Sequence, residues 1–133
     1  MQDARMTTGS QQIPLTADIV RSSAQYLSRA LRQSEADAAA LCTLDGQCAW
    51  ASDPAFERVA PMIARIGIAS LRLWAKARTG RLEQIGLVAG EGVVDLIFVP
   101  PLACLLVVSG KSGRTGWPEG EPTGLLEAIG LGS

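Results

Sequence analysis

The stretch SDPAFERVAPMIARIGIASLRLWAKARTG, residues 52–80, constrains the fold more than any other part of the chain. Ser52 or Asp53 can cap a helix, Pro54 suits its first position, and Gly80 can end it. Pro61 removes one backbone hydrogen bond, which predicts a separate turn before it or a kink. At about 100° per residue, Arg58, Arg65, Arg72 and Lys76 share one narrow polar stripe. Met62, Ile63, Ile66, Ile68, Leu71, Leu73 and Trp74 cover about 240° of the remainder, where a helix on the outside of a small domain needs about 100°. One sheet cannot cover so much apolar surface, and Gly67, Ala69 and Ser70 would let a second backbone come close. Either the helix is buried among elements of its own domain or it also packs on a partner. A chain of 133 residues has one core, which favours the partner.

The remaining elements follow from period and punctuation. Ile19, Val20, Ala24, Leu27 and Leu31 recur at helical spacing over Asp18 to Gln33, with Thr16 as candidate N-cap. Ala38 to Leu44 and Gln47 to Ser52 read as strands joined at Asp45-Gly46, a strong hairpin signal. Three more strands are expected at Arg81 to Val88, Val93 to Val99 and Leu102 to Ser109. Pro100-Pro101 needs a wider connection than a primed two-residue turn, because proline holds φ negative. LACLLVV is continuously apolar, as in a central strand covered on both faces. A short last helix fits LLEAIGLG. The order α-β-β-α-β-β-β-α predicts an α+β fold with a single five-stranded, mostly antiparallel sheet covered by helices. Residues 1–13 read as a mobile polar lead-in and residues 14–133 as one domain.

The sequence offers little for catalysis. It has no histidine, which removes the commonest general base and most zinc sites. A two-residue turn at Asp45-Gly46 pairs Thr43 with Cys48 and Cys42 with Ala49, sending Cys42 and Cys48 to opposite faces. A three-residue loop would instead set the two cysteines opposite each other. Cys104 reads as a small core residue. GKSGRTG lacks the glycine a phosphate loop requires five positions earlier, where Leu105 stands. No acidic pair is compelled to meet. Trp117 is either an exposed anchor or folded back over the sheet. No cofactor or metal is expected, and the chain is not expected to be an enzyme. With 12 basic and 13 acidic residues the bulk charge argues against nucleic acid as a partner. No window is apolar enough for membrane insertion, and an odd cysteine count fits a reducing, cytoplasmic setting.

The hairpin ALCTLDGQCAWAS, the helix PMIARIGIASLRLWAKARTG and the run RLEQIGLVAGEGVVDLIFVPPLACLLVVSGKSGRTGW together resemble the roadblock, or dynein light chain, family. The resemblance spans residues 16–130, roughly. It implies a homodimer, or a heterodimer with a related subunit, built by antiparallel pairing of the long helices and edge pairing of the third strands. The matching positions are Ile63, Ile66, Gly67, Ser70 and Trp74 on the helix and Leu82, Ile85 and Leu87 on the strand. It also implies a non-catalytic scaffold that regulates a Ras-like small GTPase, as a GTPase-activating partner or an adaptor. Two alternatives compete: a ligand-binding sensory domain of profilin-like type, and a redox or metal enzyme using Cys42, Cys48 or Cys104.

Overall fold

A computed structural model describes residues 12–77, 82–90, 92–111, 117 and 123–131. Its elements run α1 (Ala17–Arg32), β1 (Ala36–Thr43), β2 (Cys48–Ala51), α2 (Pro54–Ala77), β3 (Gln84–Ala89), β4 (Gly92–Phe98), β5 (Cys104–Lys111) and α3 (Thr123–Ala128). This is the order expected from the sequence. All strands form one sheet, β2-β1-β5-β4-β3, and every neighbouring pair is antiparallel. The continuously apolar run does form the central strand: from Cys104 to Val108 every residue of β5 is buried. The lead-in expected at residues 1–13 lies almost wholly outside the described residues, as does Gly80. Ile13 is described, and it makes a short parallel bridge to Leu102.

Local chemistry sets the helix starts. Thr16 caps α1 by accepting from the Ile19 amide at 3.2 Å. Asp53, rather than Ser52, caps α2 by accepting from the Phe56 amide at 2.8 Å. The Ser52 hydroxyl is occupied elsewhere, accepting from the Ala39 amide of β1 at 3.0 Å. Pro61 lies inside α2, which continues through it, so no separate turn precedes it. The missing amide costs one rung of the ladder, while Phe56, Ala60 and Ala64 anchor both halves of the helix in one core.

Alternation along the strands divides the core in two. On one face Ala38, Ala40, Cys42, Leu96, Phe98, Leu105 and Val107 meet Phe56, Ala60, Ala64 and Ile68 of α2. On the other, Ala39, Leu41, Ile97, Leu106 and Val108 meet Leu27 of α1 and Leu125 of α3. Trp117 packs against this second cluster, so it folds back over the sheet and is no exposed anchor.

The first hairpin departs from the expected register. Thr43 donates its amide to Gln47 O at 2.8 Å, and Gly46 donates to Thr43 O at 3.0 Å. The loop is therefore Leu44-Asp45-Gly46, three residues long, and only Gly46 takes positive φ, at +91°. That geometry spares Asp45 the left-handed region, and its carboxylate accepts from the Thr43 hydroxyl instead. A bulge follows between Leu41 and Cys42, leaving Ala49 as the extra residue of β2. Cys42 then stands directly opposite Cys48, on the same face. The expectation of opposite faces is overturned, because it assumed a two-residue turn.

Gly46 is also roofed by a side chain: a Cβ there would lie 3.3 Å from Cγ and Nε of Arg65. Gly46→Ala should therefore lower stability by about 1–2 kcal/mol, mostly from forcing alanine to positive φ. A urea midpoint unchanged from the parent would refute this account of the turn.

Candidate functional site: the open face of the long helix

Helix α2 lies mainly over β1, β2 and β5. Its inward side carries Phe56, Ala60, Ala64, Gly67 and Ile68, all buried. Gly67 is where the helix comes closest to the sheet. A Cβ there would lie 3.1 Å from Leu96 Cδ1 and 3.2 Å from Leu105 Cδ1. The small residue at this position serves the chain's own sheet.

About a third of a turn away, α2 carries a second apolar stripe that is exposed. Met62 is 60 % exposed, Ile66 51 % and Leu73 67 %, with Val59 and Trp74 also exposed. Positions 59, 62, 66 and 73 follow helical spacing, so these side chains form one continuous strip. Single exposed apolar residues are ordinary, whereas a contiguous strip marks an interaction surface. Beside the strip Ile63 and Ser70 are half-buried, and the Ser70 hydroxyl donates to Ile66 O at 2.8 Å. The basic residues Arg58, Arg65, Arg72 and Lys76 flank the strip on its other side and are exposed. A shallow cleft between Arg65, Arg72 and the hairpin tip is lined also by Leu44, Asp45, Ile68 and Ala69.

The sheet extends this surface. β3 is an edge strand, hydrogen-bonded on one side by β4. Ile85 and Leu87 oppose Leu96 and Val94, share the α2 side of the sheet, and are only half-buried, as is Leu82 just before the strand. The structure thus brings Ile63, Ile66, Ser70, Trp74, Leu82, Ile85 and Leu87 to one side of the molecule, and turns Gly67 inward. The wheel placed Met62 and Leu73 in the over-wide apolar face, but the interface positions implied by the resemblance left both out, and they are the strip's most exposed members.

All three thiols are pushed above their ordinary range. Burial pushes Cys42 up to about 12, with Cys48 adding to the effect, and burial alone does the same for Cys104. Cys48 is raised as well, by burial first and then by the Glu57 carboxylate. Among the described residues no group of three histidine, cysteine or acidic side chains could hold a metal. No described helix is long and apolar enough to cross a membrane.

No protein-family model matches the chain, and no curated protein matches it. Solved structures do. One described as MglB with a tetrameric arrangement superposes with a TM-score of 0.61 at 17 % identity, covering 89 % of this chain and 86 % of that one. The gliding protein MglB from Thermus thermophilus gives 0.63 at 16 % identity, covering 90 % and 91 %. A Roadblock/LC7 domain from Streptomyces avermitilis gives 0.57 at 15 % identity, covering 77 % and 83 %. This is the roadblock fold. Its long helix and third strand are the elements that carry the open apolar surface described above.

Proposed function

We propose that this roadblock-fold chain is a non-catalytic, dimeric binding module that regulates a Ras-like small GTPase, as an activating partner or an adaptor. One observation carries the proposal: the exposed apolar strip Val59, Met62, Ile66 and Leu73 on α2, on the same side of the molecule as the half-covered face of β3. A second α2, antiparallel to the first, covers the strip, and pairing of the two β3 edges satisfies backbone groups otherwise left to water. The partner subunit is a second copy or a related chain. The likeness to MglB structures, one of them named a gliding protein, supports a bacterial regulatory setting. The GTPase itself is inferred from the family resemblance. The profilin-like alternative requires room between α2 and the sheet, and the approach of Gly67 to Leu96 and Leu105 leaves none at that point.

The test is light scattering after size exclusion, on the chain alone and with Ras-like GTPases in both nucleotide states. A mass of twice the chain at micromolar concentration is expected, with a further shift for one nucleotide state of a cognate GTPase. A strict monomer removes the dimer. A dimer indifferent to every GTPase in both states removes the partner.

A further inference from the structure

We propose that Cys42 and Cys48 are a modification site, a dithiol pair that a peroxide converts to an intrachain cross-strand disulfide. The backbone makes the case. Cys42 and Cys48 are register partners on adjacent antiparallel strands. The Thr43 amide points to β2, where it donates to Gln47 O at 2.8 Å. Successive amides alternate, so the Cys42 amide points the other way, toward β5. Cys42 and Cys48 are therefore a non-hydrogen-bonded pair. Such pairs hold their Cα atoms about 4.5 Å apart with side chains close. A disulfide needs about 4.4–6.8 Å. The three-residue turn creates this juxtaposition: counting back from Thr43 and Gln47, the next pair is Cys42 and Cys48, and the bulge at Ala49 comes only after it. Both thiols are free, and the Cys48 thiol donates to Trp50 O at 3.3 Å.

Exposure assigns the roles. Cys48 is half-buried, while Cys42 is fully buried in the core on the α2 side of the sheet. Peroxide reaches Cys48 first. The Cys48 thiolate attacks one peroxide oxygen, the O–O bond breaks, and the departing hydroxide takes a proton and leaves as water. Cys48 is now a sulfenic acid. Cys42 gives up its proton and attacks the Cys48 sulfur, the S–O bond breaks, and a second water leaves. The two thiols lose two electrons in all and peroxide gains them. Both thiols are raised above their ordinary range, so the first attack is slow at neutral pH. Cys104 cannot take part, because it is buried in the core on the opposite face of the sheet. The bond would fasten β2, an edge strand, to β1.

The experiment uses the full chain, folded, with hydrogen peroxide at mildly alkaline pH, followed by alkylation and intact mass. The expected product has lost two hydrogens, retains one alkylatable thiol at Cys104, and returns to the parent mass on reduction. Cys48→Ser should abolish the loss. Cys42→Ala, which keeps a small apolar side chain in the core, should instead leave a sulfenic acid at Cys48 that dimedone traps. Circular dichroism of each variant verifies folding before oxidation. Three alkylatable thiols after oxidation, direct passage of Cys48 to sulfinic acid in the parent, or a covalent dimer through Cys48 would each overturn the proposal. So would two-hydrogen loss that persists in Cys48→Ser.

Discussion

Replacing Ile66 and Leu73 together by aspartate is expected to turn a dimer into a monomer with an intact fold. Ile66 is 51 % and Leu73 67 % exposed, so neither supports the core of its own subunit. In an antiparallel pair of α2 helices both would lie in the seam. Burying a Leu or Ile side chain is worth about 1.5–3 kcal/mol, and that gain would be lost at both sites of both copies. The carboxylates would also be taken from water without a partner, at about 3–5 kcal/mol each where burial is complete. At 1.4 kcal/mol per tenfold, the dissociation constant should rise about 10⁴-fold or more. Sedimentation reads this directly. Gln25→Asp, on the exposed surface of α1, is the control and should leave the mass unchanged. Retention of the dimer by the double variant, with unchanged circular dichroism, would falsify the helix-seam interface. GTPase binding should disappear with the dimer if the partner reads both subunits, and persist if it reads one.

Leu105→Ala is expected to be the most destabilising single change within the chain. Leu105 is fully buried in the central strand, faces α2, and touches the helix where Gly67 admits it. Removing it leaves a cavity between two rigid elements that cannot collapse easily, for a cost of about 2–5 kcal/mol. Domains of this size have about 5–15 kcal/mol in total, so the urea midpoint should fall sharply. Parent and variant must be compared at one protein concentration, because association adds to apparent stability. A loss below about 1 kcal/mol would contradict the close approach of α2 to the sheet.

Much of the architecture was legible because it rests on period. Ile19, Val20, Leu27 and Leu31 repeat as a helix must, and α1 forms over nearly the expected residues. The apolar run of β5 named a central strand without reference to its neighbours. Pro61 does not break the helix into a separate turn, because a missing amide is a local cost. The buried contacts of Phe56, Ala60 and Ala64 on either side of it are tertiary and outweigh it. The site was legible in part. The over-wide apolar face of α2 was readable on a wheel, since it depends only on helical geometry. Which residues turned inward was not, because that depends on where the sheet lies. Gly67 was expected at a partner's surface and stands instead against Leu96 and Leu105.

The same division holds at the first hairpin. Sequence alone determined that Asp45-Gly46 would reverse the chain, because glycine alone readily takes φ of +91°. It could not determine how many residues the loop would hold. That was decided by the Thr43 hydrogen bonds to Asp45 and Gln47, by Arg65 of α2 lying across Gly46, and by a bulge at Ala49. A strand has a side-chain period of two, so one extra loop residue was enough to bring Cys42 and Cys48 face to face.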